Sequence, residues 1–372
     1  MHAFGTSSNL LVSGRHPPFA GWVAIDEFEN LFSAMDGSRI TGLTSRRFLL
    51  NRLRRIGERF LEPFVSLDDV EQRGELLLVV ARTPSDLRML YDVKHARKRF
   101  RNIAGYVIDS YFVEDFPAAT KEYDHIFSTT EEGAVEARTR FGIPSSVLRQ
   151  GIDCLSWACV SGDRSIDLIG FGRQPPSYHK QFQQAFHNPQ SALIYLHSPI
   201  GAAAGDDVWI ERPMMLKLLQ RSKMSLAFHL SVEPQNARPR AASFVTSRWF
   251  ESLASGCVVV GRRPPGQMSE ELFSWKNALI ELSDDPGESA AMIAVLASDA
   301  KFLEATRVQN VIEMCYLHDW RYRIRDIYQH FGLQQPLPLQ DSLVLLDRLI
   351  EKLKLDAGTD MTKIAGQGNA AT

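Results

Sequence analysis

TSRWFESLASGCVVVGRR, residues 246–263, divides into a short amphipathic helix, a glycine stop and a buried strand. Trp249, Phe250, Leu253 and Ala254 recur at helical spacing on one face, while Arg248, Glu251 and Ser255 occupy the other at i, i+3 and i+7. Gly256 stands where helices commonly end in a left-handed residue, and Cys257 to Val260 is an apolar run suited to a parallel strand covered on both sides. Thr246 or Ser247 can supply the N-cap, which sets free backbone N–H groups and the positive end of the helix dipole beside Arg248. That combination suits an anionic diphosphate. Glu251, one turn further in, is spaced to accept hydrogen bonds from sugar hydroxyls. The residues alone fit equally an ordinary helix–strand unit of an α/β domain with a solvated charged face.

Working outward, strand–helix alternation continues on both sides. Asn9 to Gly14 reads as a first strand, Trp22 to Met35 as a helix, Glu75 to Ala81 as a buried strand, Ser85 to Phe100 as a helix and Asn102 to Asp109 as a strand. His125 to Ser128, a helix about Glu131 to Phe141 and a strand at Ser146 to Gln150 complete a first unit. Ser165 to Arg173 starts a second, followed by strands at Ala192 to Leu196 and Met224 to His229, with a helix at Arg212 to Arg221 between them. Such repetition predicts parallel sheets with helices on both faces, and ligands beyond the carboxyl ends of the strands. That rule singles out Arg82, Asp109, Tyr111, Thr129 and Arg149 as cleft candidates. The residue types also serve to cap neighbouring helices. Ser231 to Val245 reads as a long basic loop, a flap over a ligand site.

Ser45 to Phe64 carries an apolar stripe of Leu49, Leu53, Ile56 and Phe60 among six arginines. It suits peripheral contact with anionic lipid or a solvated face over a domain core. Leu337 to Leu355 reads as a further amphipathic helix, and Ala357 to Thr372, small and polar, as a disordered tail. The expected divisions are residues 1–153, 154–335, a helix at 336–356 and the tail at 357–372.

Length and charge narrow the function. A chain of 372 residues is long enough for two cores, and a net charge near −2 gives no electrostatic reason to expect nucleic acid as a partner. No apolar run approaches the ~20 residues that cross a bilayer, and the N-terminus lacks a charged lead and a hydrophobic segment, so the expected place is the cytoplasm or the inner face of the membrane. The four cysteines, Cys154, Cys159, Cys257 and Cys315, have no paired spacing and read as reduced thiols rather than zinc ligands or a disulfide framework.

The R-x-F-E-x-L-A-x-G pattern from Arg248 to Gly256, followed by Val258 to Val260, resembles the signature of the group 1, family 4-like glycosyltransferases, in particular the branch related to spore-maturation proteins. The resemblance implies a GT-B fold, in which two Rossmann-like parallel-sheet domains face a central cleft, the first binding the acceptor and the second a nucleotide diphosphate sugar. It implies that Glu251 binds the ribose of the donor. Gly170 to Arg173 is similar to the G-x-x-R strand end from which an arginine reaches the donor diphosphate, and Lys180 is the nearest lysine to the position usually occupied by one, where Tyr178 stands. Ser243 occupies the place of a second glutamate. Arg149 to Asp153 resembles the segment closing the first domain, and Tyr316 to Gly332 the H-x-W-x-x-R helix that ends such enzymes, where final helices brace the first domain. By the same resemblance Thr246, Ser247 and Arg248 join Arg173 and Lys180 on the donor side, and His16 and Asp109 are the acceptor-side, catalytic candidates. The implied reaction is hexosyl transfer with retention, without a metal or other cofactor, to a glycan, lipid or small-molecule acceptor. In an internal-return mechanism the leaving diphosphate takes the acceptor proton, so no side-chain base is required. The alternative is a GT-B-like protein that binds nucleotide sugars, or serves an assembly, without transfer.

Overall fold

A run such as Leu76 to Ala81, apolar at every position, must be covered on both faces. In the computed structural model all six residues are buried in the middle of a parallel sheet. The structure describes residues 9–13, 20–42, 73–110, 113–197, 207–233 and 245–368, with side chains to 357. One six-stranded sheet comprises β1 (Leu10–Ser13), β2 (Arg39–Gly42), β3 (Gly74–Ala81), β4 (Phe100–Val107), β5 (His125–Ser128) and β6 (Ser145–Val147), in the order β2-β1-β3-β4-β5-β6. A five-stranded sheet comprises β7 (Ile166–Gly170), β8 (Tyr195–His197), β9 (Ser222–Phe228), β10 (Val258–Arg262) and β11 (Leu279–Glu281), in the order β11-β10-β9-β7-β8. Every pairing between these strands is parallel. The architecture is the expected pair of parallel-sheet α/β domains.

Among the described residues the α-helices of six residues or more are α1 (Val23–Asp36), α2 (Glu131–Phe141), α3 (Pro176–Phe186), α4 (Asp207–Leu219), α5 (Ser247–Ala254), α6 (Gln267–Leu272), α7 (Pro286–Ser298), α8 (Ala300–Leu317), α9 (Trp320–His330) and α10 (Leu337–Gly368). Residues 246–263 contain α5 and β10. Trp249, Phe250 and Leu253 are buried together, each burial stabilising the fold by roughly 1.5–3 kcal/mol. Gly256, at φ 79°, closes α5 as a left-handed stop: its N–H bonds the Leu253 carbonyl (3.0 Å) and the Cys257 N–H bonds the Ser252 carbonyl (2.9 Å).

The chain crosses back at its end. Trp320, Ile324, Ile327 and Tyr328 of α9 are buried against Phe28 and Tyr106 of the first sheet's layer, with the Trp320 and Phe28 rings 5.1 Å apart. Asp319 pairs with Ile152 in an isolated parallel bridge, its carboxylate accepts from the Cys154 N–H (2.8 Å), and Arg321 holds both Asp153 (2.7 Å) and Asp319 (3.0 Å). Arg323 donates to the carbonyls of Arg149 (3.1 Å), Gln150 (3.3 Å) and Leu317 (3.1 Å). The joint between the domains is therefore fastened by the H-x-W-x-x-R segment.

Several expectations change. The helix read over Ser85 to Phe100 is a 3₁₀ segment, Pro84–Asp92, and a short turn, Ala96–Arg99, with β4 already begun at Phe100. Thr83 and Asp86 form a capping box and Pro84 starts the segment, so the local start signal is genuine, but Leu87 and Leu90 face the core at a spacing of three. The edge strand β2 and the helix α3 add to the elements expected from the sequence. The last helix runs to Gly368, past the 356 at which the sequence reading ends it, since no proline follows Pro338 to stop it. The Ser45 to Phe64 helix, most of the flap at Ser231 to Val245, Tyr111 and residues 369–372 lie outside the described residues.

Candidate functional site

The second sheet reverses direction at β7: β8 pairs on one side of it and β9 on the other. At such a switch point the loops leaving the carboxyl ends part and open a crevice. Phe171, Gly172 and Arg173 leave β7 there, residues 229–233 leave β9, and α5 begins beside them.

The loops are held to one another by arginines. Arg173 donates from Nη1 to the Val232 carbonyl (3.1 Å) and from Nη2 to the His229 carbonyl (2.6 Å), fastening the loop after β9. Arg248, from the first turn of α5, donates Nη1 to the Arg173 carbonyl (3.1 Å), and its guanidinium lies 5.5 Å from the centre of the Phe171 ring. Gly172 makes room for it: at φ 63°, a Cβ there would lie 2.6 Å from Arg248 Nη2. The first turn of α5 is thus tied through Arg248 to the backbone of the β7 loop, whose Arg173 side chain holds the loop after β9. Thr246 is the N-cap residue but its hydroxyl accepts no capping bond, and Ser247 is the first helical residue; both are half-buried. Glu233, in the left-handed region at φ 49°, accepts from the Ser177 N–H (3.0 Å) and from its hydroxyl at the start of α3. His229 accepts at Nδ1 from the Ser231 N–H (3.2 Å), and burial, then Arg262 and Arg173, lower its pKa. It is a neutral strand-end histidine.

Glu251 does not lie on a solvated face: it is 4% exposed and paired with Arg212 of α4. Arg212 in turn lies 3.3 Å from Glu27 of α1, whose carboxylate accepts from the Trp157 Nε1–H (2.8 Å) and the Asp153 N–H (3.2 Å). Burial alone would lower the pKa of Arg212, but Glu27 and then Glu251 outweigh it and the net shift is upward. Because α1, α4 and α5 each start at the carboxyl edge of a sheet, this Glu27–Arg212–Glu251 chain shows that the two carboxyl edges face each other. Neither Glu27 nor Arg212 was singled out from the sequence. No local pattern could have done so, since the three partners stand at positions 27, 212 and 251.

The remaining candidates fall out as follows. Lys180 is exposed on α3, while Tyr178 is buried and donates its hydroxyl to the Ser283 carbonyl (2.6 Å), so the aromatic residue serves the core. Asp109 belongs to the first sheet, half-buried at the end of β4, and accepts from the Trp22 Nε1–H (2.8 Å). His16 lies outside the described residues. Arg82 is not a cleft residue: it is 1% exposed and paired with Asp26 and with Glu29 (2.8 Å), with Ser13 on the same Glu29 carboxylate (2.7 Å). Thr129 is buried and spends its hydroxyl on the Ile108 carbonyl, and Arg149, half-buried, donates to the Thr129 carbonyl (2.9 Å). Among the described residues no group of three or more metal-ligating side chains is placed to hold an ion, and no helix is long and apolar enough to cross a membrane.

Residues 190–329, which carry β8 to α9 and thus Arg212, Arg248 and Glu251, match the family described as glycosyl transferase-like. No curated protein matches the chain by sequence. Among solved structures, the chain is similar to Alr3699/HepE from Anabaena crystallised with UDP and glucose, at 11% identity and TM-score 0.50, over 87% of this chain and 99% of that one. The same Anabaena protein crystallised with UDP-glucose gives 11% identity and TM-score 0.50 over the same shares, 87% and 99%. A glycosyltransferase from Rickettsia africae aligns at 9% identity and TM-score 0.48 over 88% of this chain and 98% of that one. At these identities the likeness establishes the fold, which is GT-B.

Proposed function

We propose that the protein is a glycosyltransferase that moves a sugar from a nucleotide diphosphate sugar to an acceptor held by the first domain, with retention and without a metal in the site. The observation that carries the reading is the bond from Arg248, in the first turn of α5, to the Arg173 carbonyl at the switch point of the second sheet, with Glu251 one turn further in. Breaking a glycosidic bond to a nucleoside diphosphate develops negative charge on the leaving oxygen. Guanidinium groups already fixed by carbonyls and by an aromatic ring stabilise that charge without having to reorganise. Arg173 and Arg248 take the diphosphate, Thr246 and Ser247 offer the free N–H groups of α5, and Glu251 takes the ribose diol. Lys180 lies on α3, within the same domain, and is assigned to the donor phosphates. Asp109 and His16 are assigned to the acceptor side, and the leaving diphosphate receives the acceptor proton. The family match over residues 190–329 and the UDP bound by the Anabaena neighbour support a uridine-type donor. Lipid-surface contact through residues 45–64 belongs to the same proposal.

A second reading, a binder without transfer, is favoured by Tyr178, which puts a buried phenol where a lysine would meet the phosphates. The deciding measurement is donor-dependent release of nucleoside diphosphate over UDP-, GDP-, ADP- and TDP-sugars for wild type, Glu251→Ala and Arg173→Ala. Turnover of one donor, suppressed by both substitutions, supports transfer. Binding without turnover, dependent on Glu251, supports the binder.

A further inference from the structure

We propose that Arg212 is a positioning residue that couples the donor site to the approach of the two domains, an inference that rests on the donor reading of Glu251. Arg212 is the middle member of a chain running from α1 in the first domain to α5 in the second, and its side chain is 10% exposed between Glu27 at 15% and Glu251 at 5%. Its two arms differ. Nη1 makes a hydrogen bond to Glu251 within its own domain, whereas Nη2, 3.3 Å from Glu27, is buried yet makes no hydrogen bond. The arm inside the domain is formed; the arm between domains is an ion pair without hydrogen-bond geometry. A small relative movement of the domains can complete it. Glu27 is itself tied to the joint through Trp157 and the Asp153 N–H, so its position reports the angle between the domains.

Two consequences follow from sharing one guanidinium between two carboxylates. With Glu27 drawn close, Arg212 is pulled toward the first domain and its hold on Glu251 loosens, which releases that carboxylate for a diol. With the domains apart, Glu251 is held by Arg212. Binding of a donor diol to Glu251 and closure of the domains therefore favour each other, and by reciprocity each strengthens the other by the same factor. The device makes a donor site that is completed only when the acceptor domain arrives.

The test is a double-mutant cycle on Glu27→Gln and Arg212→Met, read in steady-state kinetics with the donor that wild type accepts. Glu27→Gln is expected to raise donor KM about fivefold or more, because Arg212 then stays on Glu251, while kcat at saturating donor changes less. Arg212→Met is expected to move both, and in its background Glu27→Gln should add nothing. Arg212→Lys, able to reach one carboxylate only, should reproduce the raised donor KM of Glu27→Gln rather than the wild-type value. Additive effects of the two substitutions, or equal loss of kcat and KM in all three variants with lowered melting temperatures, overturn the proposal in favour of a purely structural ion pair. Should Arg212→Met not fold, Glu27→Gln against Arg212→Lys carries the comparison. A donor-free measurement separates this failure from that of the transferase reading: spin labels on the two domains should show the same broadened distance distribution in Glu27→Gln, in Arg212→Met and in the double variant. A wild type that binds no nucleotide sugar sinks the functional reading, and unchanged interdomain distances sink the coupling.

Discussion

Acidification should loosen the seam between the domains through His318. This residue is 4% exposed, shares its Nε2 with the Leu272 carbonyl (2.8 Å) and its Nδ1 with Arg323 Nη2 (3.2 Å). A carbonyl can only accept and a guanidinium can only donate, so the neutral tautomer carries its proton on Nε2. Adding a proton at Nδ1 sets two cations together in a buried place. Burial, then Arg323, push the His318 pKa down to about 3, against the partial opposition of the Leu272 bond. The folded value lies below the unfolded one, so the stability associated with neutral His318 is complete above about pH 6.5 and is lost as the pH falls from there toward 3. One proton taken up on unfolding corresponds to ~1.4 kcal/mol per pH unit, or about 2–3 kcal/mol by pH 4.5. The measurement is urea unfolding followed by tryptophan fluorescence between pH 7.5 and 4.5, comparing wild type with His318→Gln, which keeps an N–H for Leu272 and an acceptor for Arg323. Wild type should lose about 2–3 kcal/mol more than the variant over that interval. The residual slope in the variant belongs in part to His125, which burial and then His330 push down to about 4. Parallel curves for the two proteins would refute the assignment of the acid sensitivity to His318.

Other substitutions probe the donor side and the joint. Gly172→Ala should cost roughly 1–2 kcal/mol for a left-handed backbone and displace Arg248, so its nucleotide-induced rise in melting temperature should match that of Arg248→Ala rather than that of wild type. Trp320→Ala should destabilise by about 3–5 kcal/mol in chemical denaturation, because a fully buried ring between the domain joint and Phe28 leaves a cavity. Thiol titration of the native protein should label Cys159, half-buried, before Cys257, which burial pushes up to about 12, and before Cys154, raised by burial beside Cys315. Labelling of Cys257 at the rate of Cys159 would contradict the packing of α5 on β10.

What could be read from the sequence followed from how far apart the interacting partners lie. Strands such as ELLLVVA and the helix–glycine–strand order around Gly256 announce themselves because their periodicity is local, and the two parallel sheets follow from them. A strand end at Arg173 and a helix start at Arg248 are local features too, and the sheet topology brings the Arg248 guanidinium to the Arg173 carbonyl. Pairings between distant residues have the opposite character. Glu251 sits on the polar side of α5 by spacing, yet that side faces α4 rather than water, because a helix beneath a second helix and opposite a second domain has no solvated face. The same argument applies to Arg82, whose basic side chain at a strand end looks like a ligand group until Asp26 and Glu29 of α1 surround it. Both residues are charges buried at a carboxyl edge, and they differ in reach. Arg82 is paired wholly with helix α1 of its own domain, whereas Glu251 is linked through Arg212 to Glu27 of the other domain. The guanidinium that holds Glu251 has a second carboxylate 3.3 Å away in the other domain, whereas Arg82 is enclosed by carboxylates of its own domain, which is why Glu251 remains a candidate ligand group and Arg82 does not.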